Sequence, residues 1–122
     1  MEILLDTNFV LTCVKEKLDF LETRKFGKVV IPKQVLNELE KLEKKTNGRN
    51  SENAELALRI IKDNKEEIEF VELDGKFADS GIVKYAENND VVVATLDREL
   101  KKKLRGKAKI VVIRGRKKIE II

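Results

Sequence analysis

Four acidic residues stand where chemistry could occur, because each lies at or soon after the end of a segment with the pattern of a buried strand. They are Asp6, Glu38, Asp79 and Asp97. Carboxylates that lie close together raise one another's pKa values, and a hard divalent cation held by oxygen ligands usually relieves their repulsion. Such a cation generates hydroxide at neutral pH and neutralises charge that develops at phosphorus. The four acids therefore predict phosphoryl transfer or hydrolysis with Mg²⁺ or Mn²⁺.

The apolar periodicity of the chain predicts the strands and helices that would position these acids. Strands are predicted at residues 2–5, 28–31, 68–73, 91–94, 110–113 and 119–122. Helices are predicted from Phe9, from Pro32, around residues 54–61, around Ile82 and at 99–104, with a polar loop at 47–51. The fully apolar run at 91–94 is typical of a central strand, whereas 68–73 and 119–122 suit sheet edges.

Strands that alternate with helices are typical of an α/β fold with a mainly parallel sheet covered on both faces. A chain of 122 residues has the length of one domain, so residues 1–122 are expected to form a single domain. In such open sheets, sites form outside the carboxyl ends of the strands. This rule selects acids that can converge at one edge.

Three of the four acids are selected by how near they lie to the carboxyl ends of predicted strands. Asp6 directly follows the first strand, and Asp97 follows the most apolar one. Thr95, two residues before Asp97, can offer a hydroxyl on the same face. Glu38 lies in the second turn of its helix, whereas Glu43 lies about 7.5 Å further along the axis, away from this edge.

Asp79 is the least ordinary acid in the sequence. It precedes Ile82, Val83 and Ala86 by three, four and seven residues, so it shares the apolar face of its predicted helix. A charge on that face is costly unless it is paired or bound to a metal. Ser80 could cap the helix, but a cap does not explain an inward-facing Asp79.

Each acid also has a purely structural interpretation. Asp6, with Thr7 and Asn8 beside it, and Asp97 are all suited to capping helix N-termini. Glu38 is also suited to pairing with a lysine at the edge of an apolar stripe. An α/β domain whose edge acids are only helix caps is therefore an alternative to a metal site.

The residue types that are absent restrict the chemistry further. The chain has no histidine and a single cysteine, Cys13, which excludes His-based triads, intramolecular disulfides and cysteine-based metal sites. No apolar run approaches the ~20 residues that span a bilayer. Met1-Glu2 leads directly into a strand, so we expect a cytoplasmic protein without a secretory leader. High Glu and Lys contents with one proline suggest a thermophilic source.

Charge is distributed unevenly along the chain. The formal net charge is +4, yet residues 98–118 contain eleven Lys or Arg and one acid, whereas residues 1–97 contain 15 basic and 20 acidic residues. A basic stretch beside an acidic region indicates a polyanion-binding surface, with a solvated helix and tail as the alternative. The predicted contacts are Arg98, Lys101, Lys102, Lys103, Arg105, Lys107, Arg114, Arg116, Lys117 and Lys118. The aromatic content of 5% argues against an extensive base-stacking platform.

Nearly the whole chain resembles a PIN-domain nuclease. The most specific matching segments are Leu4-Leu5-Asp6-Thr7-Asn8 and Val93-Ala94-Thr95-Leu96-Asp97-Arg98-Glu99-Leu100. Less specific matches are Ile31-Pro32 with Val35, Leu36, Glu38 and Leu39, and Ala78-Asp79-Ser80 with Ile82. The C-terminal segment is most similar to archaeal PIN proteins related to ribosomal-RNA-processing nucleases.

The resemblance implies a three-layer α/β/α sandwich and Mg²⁺- or Mn²⁺-dependent cleavage of single-stranded RNA that leaves a 5′ phosphate. It implies that the four acids are the catalytic metal ligands. The supporting polar positions are Thr7, Asn8, Ser80 and Thr95. Many family members carry a further acid where this chain has Ser80. This difference leaves the four acids intact but would weaken a second metal site. The basic stretch would follow the RNA backbone.

The resemblance also implies partners. A homodimer is expected, and a pre-ribosomal protein or an antitoxin would be a protein partner. Ribosomal-RNA processing or RNA quality control is the expected role. Two alternatives remain open at the level of sequence: a toxin ribonuclease held inactive by an antitoxin, and a non-catalytic PIN-like module that binds RNA or assembles with other proteins.

Overall fold

A computed structural model describes residues 1–45, 48–75 and 78–122 of the chain. The strands are β1 (Glu2–Leu5), β2 (Lys28–Pro32), β3 (Ile68–Val71), β4 (Val91–Ala94), β5 (Lys109–Arg114) and β6 (Lys118–Ile121). The helices are α1 (Thr7–Lys15), α2 (Lys33–Lys44), α3 (Arg49–Asp63), α4 (Ala78–Asn88) and α5 (Arg98–Leu104). Short 3₁₀ helices occupy Phe20–Phe26 and Lys65–Glu67.

The six strands form one sheet in the order β3-β2-β1-β4-β5-β6. The first five are parallel, and β6 pairs antiparallel with β5. The chain moves outward from β1 to β3 and then crosses back to β4, so β1 and β4 lie side by side where the order reverses. Ligand crevices of open α/β sheets form at this switch point. The central position of 91–94 and the edge positions of β3 and β6 confirm the sequence predictions.

Helices cover both faces of the sheet, as predicted. On one face, α1, α2 and α3 bury Phe9, Leu39 and Ala57 against strand side chains such as Ile3. On the opposite face, α4 and α5 bury side chains that include Ile82, Leu100 and Leu104 against strand side chains of Leu4, Val91, Val93, Ile110 and Val112. Alternate residues of each strand serve alternate faces, because successive strand side chains point to opposite sides of the sheet. The fold is therefore the three-layer α/β/α sandwich that the resemblance implied.

Two predicted boundaries are wrong, each for a local reason. The predicted loop at 47–51 is helical from Arg49, because Gly48 is the N-cap of α3 and the Ser51 hydroxyl donates to the Glu43 carbonyl at 2.9 Å. Asn47 lies outside the described residues. β3 ends at Val71 rather than residue 73.

The 3₁₀ helix at Phe20–Phe26 has no counterpart among the predicted elements. The Asp19 side chain caps it by accepting from the Leu21 amide, and Phe20 and Leu21 are buried. A 3₁₀ helix has three residues per turn, so it does not show the 3.6-residue apolar spacing from which the α-helices were predicted. None of the described helices is long and apolar enough to span a membrane.

Candidate active site

The structure brings the four acids to the same edge of the sheet. Asp6 follows the last residue of β1, and Asp97 lies three residues beyond the end of β4. Glu38 is in the second turn of α2, which follows β2, and Asp79 is in the first turn of α4, which follows β3. Because β1 to β4 are parallel, their carboxyl ends share one edge, and Asp6 and Asp97 occupy its switch point.

Asp6 is held by two hydrogen bonds at the junction of β1 and α1. It is 8% exposed, and its Oδ1 accepts from the Thr7 amide at 2.9 Å. Its Oδ2 accepts from the hydroxyl of the fully buried Thr95 at 2.9 Å. The Thr95 hydroxyl accepts in turn from the Asp97 amide at 3.1 Å. Thr95 therefore joins the ends of β1 and β4 and fixes the position of Asp6 relative to Asp97.

Asp97 caps α5, so the capping interpretation holds for this acid as it does for Asp6. Its Oδ1 accepts from the amides of Glu99 at 2.8 Å and Leu100 at 3.2 Å. A carboxylate offers about four acceptor sites, and these two bonds engage one oxygen only. Capping and metal binding are therefore compatible at Asp97, since a cation can bind the oxygen that the cap does not use.

Two of the four carboxyl groups, those of Asp6 and Glu38, are affected electrostatically by neighbouring acids. Burial raises the pKa of Asp6 above its ordinary value of 3.8, and repulsion from Asp79 and Asp97 raises it further, while hydrogen bonds from Thr95 and Thr7 lower it. Partial burial also raises the pKa of Glu38 above 4.5; the Thr7 hydroxyl lowers it, and repulsion from Asp6 and Asp79 adds to the rise. Asp6 thus interacts with each of the other three acids.

The remaining polar side chains of the site differ in burial. The Thr7 hydroxyl is buried and has no hydrogen-bond partner within the residues that the structure describes, although it lies near enough to affect Glu38. Asp79 is half-buried rather than fully inward, while Asn8 and Ser80 are exposed. Glu38 is exposed as a whole residue, although its carboxyl group is partly desolvated. The sequence periodicity therefore overstated the burial of Asp79. Its position in the first turn of α4 places it at the edge of the apolar face of the helix.

The donor set fits a hard divalent cation in its chemistry. It consists of carboxylate and hydroxyl oxygens without nitrogen or sulfur, which suits Mg²⁺ or Mn²⁺. In residues 1–45, 48–75 and 78–122, however, no three acidic, histidine or cysteine side chains are already grouped closely enough to hold a metal ion. Metal binding would therefore require the carboxylates to approach one another.

The sequence did not reveal two residues that position the acids. The Gln34 side chain donates to the Leu73 carbonyl at 2.9 Å and accepts from the Leu73 amide at 3.3 Å. It thereby joins α2, which carries Glu38, to the segment before α4, which carries Asp79. Gln34 lies four residues before Glu38, so the two are helical neighbours, and this spacing was the available signal.

Gly81 makes the second unpredicted contact. A β-carbon at this position would lie 2.8 Å from the Asp74 carbonyl oxygen and 2.8 Å from the Leu73 β-carbon. Any side chain would therefore push α4, and with it Asp79, away from the β3–α4 connection. Only the tertiary contact distinguishes this glycine from one in an ordinary helix.

Comparison with known proteins places the chain in a family. Residues 3–118 match the family described as "PIN like domain". The chain belongs to the PIN-domain family. Ribonuclease VapC4 of Methanocaldococcus jannaschii is 37% identical over 125 residues, covering 95% of this chain and 92% of that protein. The nuclease prediction is thereby confirmed at the level of the PIN-domain family.

Two further relatives extend the comparison. The human rRNA-processing protein FCF1 homolog is 34% identical over 109 residues, which cover 84% of this chain and 51% of that protein. This PIN chain therefore spans about half of that relative. The solved structure of the PIN domain endonuclease Utp24 superposes with a TM-score of 0.76 at 31% identity, covering 98% of this chain and 90% of Utp24.

The raised carboxyl pKa values predict how stability depends on pH. The carboxyl groups of Asp6 and Glu38 have higher pKa values in the folded state than in the unfolded state. At pH values between the two, the folded state therefore binds more protons than the unfolded state. Without added metal, the free energy of unfolding should therefore fall as pH rises from about 4 through the folded pKa values. Urea unfolding at a series of pH values measures this. The variant Asp6→Asn/Glu38→Gln should show a smaller decline, and an identical decline would contradict the assignment.

Proposed function

We propose that this chain is a divalent-metal-dependent endoribonuclease that hydrolyses phosphodiester bonds of single-stranded RNA in the cytoplasm. Its role would be ribosomal-RNA processing or RNA quality control. The observation that carries the proposal is the position of Asp6 at the switch point of the sheet, coupled to three other carboxylates. The substrate class is supported by relatives named as a ribonuclease and an rRNA-processing protein.

Asp6, Asp79 and Asp97 would hold the principal metal ion. When bound, Mg²⁺ or Mn²⁺ would supply a hydroxide at neutral pH and neutralise charge that develops on the scissile phosphate. Thr95 and Thr7 orient Asp6 through their hydrogen bonds to its two oxygens. Glu38 would act through water, because its carboxyl has a raised pKa and is suited to taking a proton from the nucleophile.

The substrate backbone would bind along the basic residues of the C-terminal part. α5 and the residues after it carry Arg98, Lys101, Lys102, Lys103, Arg105 and Lys107. The β5–β6 hairpin carries Arg114, Arg116, Lys117 and Lys118, and its turn lies at the carboxyl edge of the sheet because β5 is parallel to β4. Contacts with phosphates should make RNA binding fall steeply with salt.

Protein partners follow from the same relatives. A homodimer is the form that we propose in solution. The rRNA-processing relative favours a pre-ribosomal protein partner, and an antitoxin partner would accompany the alternative toxin role.

Metal binding can be tested without any assay of cleavage. If Mn²⁺ binds only the folded chain, a free concentration 100 times the Kd should stabilise the fold by about 2.7 kcal/mol. Differential scanning calorimetry with and without Mn²⁺ should therefore show a rise in Tm for the wild type. The rise should vanish in Asp6→Asn and in Asp97→Asn. Asp63→Asn changes an exposed acid at the end of α3 and should retain it.

Cleavage itself is the second part of this test. Wild-type protein should cut single-stranded RNA in Mn²⁺, and cutting should cease on chelation. A wild type that binds Mn²⁺ but cuts no RNA would overturn the catalytic proposal and favour the non-catalytic module. A wild type with no Mn²⁺-dependent change in Tm would favour the interpretation that the edge acids are only helix caps.

A further inference from the structure

A basic groove of about 900 Å³ lies beside α5, on the β4–β5 side of the proposed catalytic acids. We call it the α5 groove. Its floor is apolar and includes Val91, Ile110 and Ile122, which lie at the edge of the sheet where β4 and β5 begin. Its cationic side chains are Arg98, Lys101, Lys102, Arg105, Lys107 and Lys109. Among the described residues, Asp90 is the single acidic one that lines it.

The charges of the α5 groove are weakly compensated. Lys102 and Lys107 form exposed ion pairs with Glu99 at 3.8 Å and Glu87 at 3.6 Å, and exposed pairs contribute little. Across the part of the chain that the structure describes, the other four groove cations form no ion pair. The groove therefore presents a field that attracts an anionic ligand.

The spacing of the cations matches an extended polyanion. One side of α5 and its C-terminal cap carries cations on three successive turns: Arg98, then Lys101 with Lys102, then Arg105. Each turn advances the helix by 5.4 Å. This advance is comparable to the distance between successive phosphates along a nucleic-acid strand. Leu100 and Leu104 fill the opposite side of α5 and are fully buried, so the cations face outward. Three rows of cations would neutralise about three phosphates.

The α5 groove lies mainly at the amino ends of β4 and β5, and it reaches toward the proposed catalytic edge along α5. Arg98 lines the groove and directly follows Asp97, and Arg105 and Lys109 lie toward the amino ends of the strands. No aromatic side chain of the described residues lines the groove. Binding there would rest on phosphates and on apolar contact with the sugars, without stacking that selects bases. The hairpin residues Arg114 to Lys118 do not line it.

We propose that the α5 groove holds about three nucleotides of single-stranded RNA on one side of the scissile bond and thereby sets a preference for longer substrates. The inference rests on the proposed nuclease function and deepens it. It assigns the flank to one side of the bond, because the groove follows α5, which runs in one direction from Asp97 toward the amino ends of β4 and β5. The groove acts without regard to base sequence.

The test compares short and extended RNA substrates in Mn²⁺. A short oligonucleotide with one defined cleavage site is extended by three nucleotides on its 5′ side or on its 3′ side. One extension should raise kcat/KM by about tenfold at low salt, and the other should have little effect. In Lys101→Gln/Lys102→Gln/Arg105→Gln, the ratio of extended to short kcat/KM should approach one. The matched variant Lys44→Gln/Lys62→Gln/Lys65→Gln alters exposed lysines of α2, α3 and the following turn and should keep the wild-type ratio.

A binding measurement separates this inference from the catalytic proposal. Fluorescence anisotropy of a labelled single-stranded RNA is measured with chelator present, so no cleavage occurs. The slope of log Kobs against log salt should be shallower by about 2 in the groove variant, as expected for three lost contacts to a single strand. If the wild type cleaves nothing but this slope changes, the groove inference stands and the catalytic proposal fails. Equal gains from both extensions, or an unchanged slope, would overturn the groove inference even if cleavage is efficient.

Discussion

Replacement of Asp6 by Asn should lower kcat for Mn²⁺-dependent RNA cleavage by about 10³-fold or more, without loss of stability. A bound metal supplies several kcal/mol of transition-state stabilisation, and about 4 kcal/mol corresponds to a factor of about 10³ in rate. Asp6 is the acid that interacts with the other three, so its loss disturbs the whole set. Asn keeps the shape of Asp but is a poor ligand for a hard cation, because it lacks the negative charge.

The stability of this variant separates a functional acid from a structural one. The Asn carbonyl can still accept from the Thr7 amide, and its amide nitrogen can donate to the Thr95 hydroxyl, which has acceptor lone pairs. The substitution also removes a buried charge that two neighbouring acids repel. Calorimetry without metal should therefore give a Tm equal to or above that of the wild type. A clear loss of stability with cleavage intact would show that Asp6 serves mainly as a cap.

Replacement of Thr95 by Val should impair both the fold and the site. Valine has nearly the same shape, so the change isolates the hydroxyl. Its loss leaves Asp6 Oδ2 and the Asp97 amide without their partner, at a cost of about 1–3 kcal/mol for each unsatisfied buried group. The pKa of Asp6 should rise further, because the Thr95 hydrogen bond lowers it in the wild type. Groups that orient metal ligands typically affect affinity or activity by about 10–100-fold.

Thr95→Ser is the matched control, because it retains the hydroxyl and removes only a methyl group. Urea unfolding should place Thr95→Val well below the wild type and Thr95→Ser close to it. Titration of cleavage rate with Mn²⁺ should show a weaker apparent affinity for Thr95→Val. Equal Mn²⁺ dependence in Thr95→Val and the wild type would mean that Thr95 stabilises the strand ends without positioning Asp6.

The buried cysteine is a useful contrast to these residues. Cys13 lies on the buried face of α1 within the hydrophobic core, and burial raises the pKa of its thiol to about 12. A thiol with such a pKa is not ionised near neutral pH and is a poor nucleophile or metal ligand. The raised pKa of Cys13 therefore reflects burial in the core, whereas the raised pKa values of Asp6 and Glu38 arise where oxygen groups from several elements converge.

Secondary structure was largely readable because its signals are local. The apolar run at 91–94 and the alternation at 68–73 reflect which faces of each strand are covered, so they also revealed central and edge positions. Helix starts were less readable, since Arg49-Asn50-Ser51 is polar in composition and becomes helical through contacts with α2. The candidate acids could be selected because strand ends and first helical turns can be located along the chain without knowledge of strand order.

The sequence by itself determined an α/β chain whose candidate metal ligands are oxygen atoms, with four acids near strand ends and a basic C-terminal part. These features follow from residue types and their spacing. Only the tertiary structure decided that β1 and β4 are neighbours, that Thr95 links Asp6 to the Asp97 amide, and that Gln34 joins α2 to the segment before α4. It also divided the basic residues between a groove and a hairpin. These are contacts between residues up to 89 positions apart, and periodicity carries no information on which distant elements become adjacent.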